Sequence, residues 1–360
     1  MGRDRITVII PSYKPDRNLI STIGSLRGSG FSEFIVVDDG SGEEFEGIFG
    51  EVSSLPGCRL LRHEVNMGKG AAIKTAVRCF TEEYADSPGF VTVDADGQHL
   101  PEDVSKTADE MEKTGSVVLG CRDFSGPDVP ARSRFGNRFT CAVFRIFFGA
   151  RVSDTQTGLR AFPAKYAKTL LEVKGSRYEY ETNMLIDIVS ASIPLTEVFI
   201  TTVYEDGNSS SHFRPVRDSI RVYSRIIKYI LSSMSSALAD GFVFWLVKHI
   251  TVLGEIIPVP LTFTASVIAR IISSLLNYLI NSNVVFSKKT SARSLIKYYI
   301  LAAVQLCVSA AAVFALENLF GVSAPILSTL IKIIVDILLW FISFRIQHRW
   351  VFAEKGGNND

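Results

Sequence analysis

The chain has few cysteines and no C-x-x-C pair. Its five, Cys58, Cys79, Cys121, Cys141 and Cys307, are odd in number. That argues against a disulfide framework or a zinc site and suits a reducing compartment. The chain also lacks an excess of one charge, with 38 Lys and Arg against 37 Asp and Glu. The charge balance therefore singles out no acidic partner, and no nucleic-acid partner is expected. The N-terminal apolar run is only ITVII before Pro11, too short for a signal-peptide core, so the first domain is expected to stay in the cytoplasm.

What is present is unevenly distributed. At 360 residues the chain can bury two cores. To about Tyr204 its charges are interspersed, and from Tyr229 onward long apolar stretches dominate. In the first part the β-branched runs ITVII, FIVV, CRLLRH, GFVTV and SVVLG alternate with amphipathic stretches such as GKGAAIKTAVRCFTEEY. This alternation predicts an α/β fold with a mostly parallel sheet, buried on both faces. Ligands of such sheets sit outside the carboxyl ends of the strands. Here those ends read PSYKPD, DDGSGEE and DADGQH.

The second part carries four apolar segments, roughly Tyr229 to Val247, Ile256 to Ile280, Leu295 to Leu316 and Ser323 to Phe344. Each is near the length of a bilayer-spanning helix, so an all-α four-helix transmembrane bundle is expected. Lys288, Lys289, Arg293 and Lys297 follow the second segment, and Arg345, Arg349 and Lys355 follow the fourth. Basic residues gather on the cytoplasmic side. A multi-pass protein of the cell membrane, with both termini and the soluble domain in the cytoplasm, follows. A weak internal repeat pairs Phe286 with Phe352, Val285 with Val351 and Ile280 with Ile346. Asp240, Arg270, Lys332 and Asp336 lie within the spans, where charges are rare. Lys332 and Asp336 are spaced to pair on one helix.

The polar motifs carry the chemistry. In DADGQH, Asp94 and Asp96 end an apolar strand, with Gly97 and Gln98 beside them. The pair fits a Mg²⁺ or Mn²⁺ ion that shares its shell with phosphates, and equally a turn with an N-cap. In VVDDGS, Asp38 and Asp39 suit a ribose or base, or a helix N-terminus. In NMGKGAA, Lys69 opens a helix and suits phosphate. Its spacing is not that of a P-loop, so P-loop ATPase chemistry is disfavoured. Arg122, Arg132, Arg134 and Arg138 then cluster, in residue types that hold phosphate in fixed geometry. Arg214, Arg217, Arg221, Arg225 and Lys228 form one stripe of a basic amphipathic helix suited to an anionic leaflet.

Taken together, IIPSY, VVDDGS, NMGKGAA, DADGQH, GCRDF and DTQTGLRAF resemble glycosyltransferase family 2, in its polyprenyl-phosphate branch typified by dolichol-phosphate mannose synthases. NYLINSNVVF and its echo IQHRWVF resemble the GtrA-type membrane family. The resemblance implies a GT-A type, Rossmann-like domain over residues 1–212, an interfacial helix over 213–228, a four-span domain over 229–352 and a cytoplasmic tail over 353–360. It implies that Pro11, Tyr13, Asp16, Asp38, Asp39, Lys69 and Asp94 hold the nucleotide sugar. Where the family usually has an acidic residue two places after the tyrosine, this chain has Pro15, with Asp16 one place later. Asp94, Asp96 and Gln98 would surround a divalent cation. Arg122, Arg132, Arg134, Asn137 and Arg214 would hold the acceptor phosphate, with Asp96, Arg122 and Arg134 closest to the chemistry.

The implied reaction moves a hexose, mannose or glucose, from a nucleotide diphosphate sugar to dolichyl or undecaprenyl phosphate. A phosphate dianion is already a nucleophile, which agrees with many arginines and no Ser-His-Asp set. Two alternatives stand beside it: a translocase of the lipid-linked sugar loaded by its own soluble domain, and a transferase to another membrane glycan or lipid. Oligomeric state stays open, a homo-oligomer included.

Overall fold

The computed structural model of the chain describes residues 2–126, 129, 131–201, 224–249, 261–286, 290–321 and 325–352. It divides into two units, Met1–Val222 and Tyr223–Asp360. Arg214 and most of the basic stripe lie outside the described residues.

In the first unit the five expected runs are strands: β1 (Thr7–Ser12), β2 (Glu33–Asp38), β3 (Cys58–Arg62), β4 (Gly89–Thr92) and β5 (Val117–Arg122). Two more join them, β6 (Arg160–Pro163) and β7 (Leu195–Ile200). The seven strands lie in the order β3-β2-β1-β4-β6-β5-β7. All neighbouring pairs are parallel except those of β6, which runs antiparallel to both β4 and β5. The carboxyl ends of β1, β2, β4 and β5 therefore share one edge with the amino end of β6. That edge collects the polar motifs.

The continuous apolar runs bury both faces of the sheet, because successive side chains point to opposite sides. On one side Val8, Ile10, Phe34 and Val36 pack with Leu19, Ile23 and Val104. These last come from α1 (Asn18–Gly28) and α4 (Pro101–Thr114). On the other side Ile9, Ile35 and Val37 pack with Ala72, Ala76, Tyr180 and Met184. These belong to α3 (Lys69–Glu83) and α7 (Glu179–Ser190). Around them lie α2 (Glu46–Ser54), α5 (Ala131–Val143) and α6 (Ala167–Glu172).

Among its described residues the second unit holds four long helices: α8 (Ser224–His249), α9 (Leu261–Ile280), α10 (Ala292–Phe320) and α11 (Pro325–Ile346). Among the described residues, two stretches are long and apolar enough to cross a membrane, Ile226–Val247 and Ala292–Phe320. The internal repeat takes physical form here. Both α9 and α11 end in a five-residue π-helical turn, Asn281–Val285 and Gln347–Val351. Asn281 Nδ2 donates to Gln347 Oε1 at 3.0 Å across a separation of 66 residues. Phe286 stacks on Phe352 at 4.9 Å. Tyr278 packs on Phe352 at 5.9 Å, and its repeat counterpart Phe344 packs on Phe286 at 5.6 Å. Such reciprocal contacts mark an approximate two-fold axis between the hairpins. The spaced pair Lys332–Asp336 closes at 2.7 Å, while Arg270 stands 3.8 Å from Asp240.

Candidate active site

The site is built at the carboxyl edge of the sheet. Strand β4 leads directly into Asp94, and Gly97 turns the chain with φ +78°, a conformation that favours glycine. Asp96 Oδ1 accepts from the Gln98 backbone N–H at 3.1 Å. Because β6 enters from the same edge, the loop before it lies against Asp94. A Cβ placed on Gly158 falls 2.1 Å from Asp94 Oδ2. Thr92 Oγ1 donates to the Gly158 carbonyl at 2.9 Å and fixes that approach.

Lys69 is the first residue of α3. Its Nζ lies 2.7 Å from Asp94 Oδ1 and 3.0 Å from Glu181 Oε1. The two glycines of NMGKG make this possible. A Cβ on Gly68 meets the Ser176 carbonyl at 2.6 Å, and one on Gly70 meets Tyr180 Cβ at 2.4 Å. Only side-chain-free positions let the start of α3 press onto the start of α7. Part of the backbone at this helix start is occupied: Gly68 N–H donates to Asp39 at 2.8 Å and Ala71 N–H to the Ser176 carbonyl at 2.8 Å. The phosphate-binding capacity expected of NMGKG therefore rests on the Lys69 ammonium more than on the helix terminus.

Electrostatics divide the two aspartates. Burial would raise Asp94, but Lys69 and His99 outweigh it and hold the carboxyl well below its usual range. Burial, and then the negative charge of Asp94, push Asp96 up. The same two cations act too weakly there, after the Gln98 N–H, to offset these opposing effects. Burial would lower Lys69, and the two carboxylates outweigh that and keep it cationic. His99 Nε2 stands 3.6 Å from Asp94 Oδ2 and is buried with no hydrogen-bond partner.

A divalent cation fits these residues. The donors are hard oxygens, and Asp94 already faces a cationic group in a cradle that a side chain on Gly158 would fill.

The other expected residues divide between the cleft and the framework. Pro11 lies in β1, and Tyr13 follows it, half-buried. Asp38 is buried and accepts from the Ser41 N–H at 2.9 Å. Asp39 is fully engaged, taking the N–H groups of Met67 and Gly68 and facing His63 Nδ1 at 2.7 Å. It clamps the loop that presents Lys69. Asp16 is exposed and accepts from the Asn18 N–H at 2.8 Å, beside the start of α1.

Arg122 ends β5 and forms a two-pronged pair with fully buried Asp154, Nε to Oδ2 at 2.7 Å and Nη2 to Oδ1 at 3.2 Å. Arg134, on α5, donates through Nη2 to the Gly126 carbonyl at 2.7 Å, while its buried Nε has no partner. Asn137 is buried and ties α5 to the Ser153 carbonyl at 2.7 Å. Arg132 lies on α5, and its side chain is outside the described residues. Sequence reasoning did not single out Glu181, Gly158 or His99. Of these, only His99 and Gly158 sit inside quoted motifs; Glu181, in YEYETNML, carries no signal of its own.

The profile of Glycosyl transferase family 2 matches residues 7–168. An uncharacterised protein of Methanocaldococcus jannaschii is 30% identical over 215 residues, spanning 58% of this chain and 86% of that one.

The chain belongs to glycosyltransferase family 2.

It is a glycosyltransferase whose second unit carries the transmembrane domain of the GtrA/DPMS family, matched over residues 228–352. It is also 29% identical to the UDP-N-acetylglucosamine–dolichyl-phosphate N-acetylglucosaminyltransferase of Methanococcus voltae, over 57% of this chain and 88% of that one. It is 24% identical to the dolichol-phosphate mannosyltransferase of Pyrococcus furiosus, over 71% and 76%.

Proposed function

We propose that this glycosyltransferase is an inverting, membrane-bound enzyme that moves a hexose from a nucleotide diphosphate sugar to a polyprenyl phosphate at the cytoplasmic face. The observation that carries the reading is the Asp94–Asp96 pair at the carboxyl edge, with the Lys69 ammonium against Asp94. Relatives whose names specify dolichyl-phosphate acceptors support the acceptor class.

In this reading Asp94 and Asp96, with Gln98, hold a Mg²⁺ or Mn²⁺ ion. Such an ion supplies charge neutralisation at the donor pyrophosphate. Lys69 stays cationic and offsets charge on the departing nucleoside diphosphate. Pro11, Tyr13 and Asp38 line the edge where the nucleoside would lie. Arg134, partly buried on α5, is the guanidinium assigned to the acceptor phosphate. Arg122, at the end of β5 and fixed by Asp154, adds a second positive charge at the sheet edge. The acceptor is largely dianionic at neutral pH, so its oxygen attacks the anomeric carbon without a protein base. The bond to the pyrophosphate oxygen breaks from the opposite side, and a single displacement inverts the sugar carbon. The four helices of the second unit serve as a four-span anchor with both termini cytoplasmic.

Membranes containing the chain, incubated with radiolabelled UDP-glucose, GDP-mannose and UDP-N-acetylglucosamine plus polyprenyl phosphate, should yield a lipid-linked sugar from one donor. Asp96→Ala should abolish it. Near-normal product from that variant sinks the cation-site reading. Label recovered only in a glycan or a different lipid sinks the acceptor assignment.

A further inference from the structure

We propose that Glu181 is a positioning residue for the cation site, acting through Lys69. The inference rests on the cation reading of Asp94 and Asp96 above. The Lys69 ammonium sits between two carboxylates, 2.7 Å from Asp94 and 3.0 Å from Glu181. An ammonium paired with Asp94 alone competes directly with any metal for that carboxylate. A second carboxylate behind it changes the balance: Glu181 gives Lys69 a partner to keep when Asp94 turns to a metal.

The framework holds Glu181 for this task. It lies on the first turn of α7 and is 9% exposed. Its own carbonyl accepts from buried Arg160 Nη1 at 2.8 Å. Its neighbour Tyr180 is pinned by a 2.9 Å bond from its hydroxyl to the Leu170 carbonyl. Gly68 and Gly70 press Lys69 onto the same helix start. The three carboxylates Asp94, Asp96 and Glu181 with the one ammonium leave two negative charges, which match a divalent cation.

The test uses the full chain in detergent with Mn²⁺ alone, reading free Mn²⁺ by electron paramagnetic resonance. Glu181→Gln keeps the shape and an acceptor oxygen and removes the charge. The half-saturating Mn²⁺ concentration should rise about 10-fold, the scale of outer-shell effects on metal sites, in a protein that still melts cooperatively. In a Lys69→Met background the same substitution should change it less than about 2-fold, because the effect runs through the lysine. Lys69→Met alone should lower it, and this arm stands even if Glu181→Gln does not fold. Equal effects of Glu181→Gln in both backgrounds, no effect in the wild-type background, or weaker binding in Lys69→Met overturns the role of Glu181. Absence of Mn²⁺ binding by the wild-type chain overturns the cation reading itself, and the proposal with it.

Discussion

Replacing Gly158 by alanine tests the site with a single methyl group. A Cβ at this position lies 2.1 Å from Asp94 Oδ2, 2.6 Å from Cγ and 2.7 Å from Oδ1. Carbon makes comfortable contacts at roughly 3.5 Å, so the carboxylate must retreat by more than about 1 Å. Rotation offers no escape, since both oxygens and Cγ are too close. The φ of Gly158 is outside the left-handed region, so alanine adds no backbone strain of its own. The retreat also breaks the 2.7 Å contact with Lys69. A misplacement of about 1 Å at a reacting centre costs about 100-fold in rate, or about 2.7 kcal/mol of barrier. The assay is the initial rate of lipid-linked sugar formation in membranes, with the donor the wild type uses and with expression and melting temperature as controls. A folded Gly158→Ala protein with a rate within about 3-fold of wild type would refute the claim that Asp94 must stand where the structure puts it.

The two aspartates should respond oppositely when neutralised. Asp96 is held above its usual range by burial and by Asp94, so its charge destabilises the fold, absent in acid and growing as pH rises through its folded value. Asp96→Asn should therefore melt higher than wild type at neutral pH while losing activity, the gain vanishing in acid. Asp94 is held low by Lys69 and His99 against its burial. Its stabilisation is present above the usual carboxylate range and lost as pH falls through its lowered value, so Asp94→Asn should melt lower at neutral pH. Arg122→Met strands fully buried Asp154 and should cost about 3 kcal/mol, roughly 6–12 °C of melting temperature by scanning fluorimetry. Arg134→Lys replaces the planar guanidinium by a point charge and should raise KM for polyprenyl phosphate about 10-fold, leaving the donor KM unchanged in a two-substrate rate matrix.

The five strand runs were legible because parallel strands buried on both faces are apolar almost throughout, as ITVII and FIVV are. β7 was not legible: LTEVFI carries Glu197, which reaches out to accept from the Ser153 N–H at 2.6 Å. Nor was β6, because RAFP is short and begins with an arginine whose burial depends on the carbonyls of Thr157, nearby, and Glu181, on another helix. Its antiparallel insertion matters most for the site, since it swings DTQTG to the same edge as DADGQH. Motif order named Asp94, Asp96 and Lys69, but not the job of Asp39, because an acidic residue at a strand end reads alike whether it meets a ribose or its own chain. Glu181 was invisible because the contact between α3 and α7 is a matter of packing, and a single sequence does not display packing.

The reciprocal contacts of the membrane unit bear on ancestry. A hairpin that meets its own copy across a two-fold axis would once have been a homodimer, with one surface facing itself. Joining the copies in one polypeptide released each from having to match the other. Asn281 and Gln347 are now unlike amides that still meet at 3.0 Å. At another pair of equivalent positions the divergence is complete: Arg270 faces Asp240 in one copy, while Asp336 accepts from Ser309 in the other. The unit thus packs like a heterodimer written as one chain, and its two hairpins, made as separate polypeptides, should still co-purify in detergent.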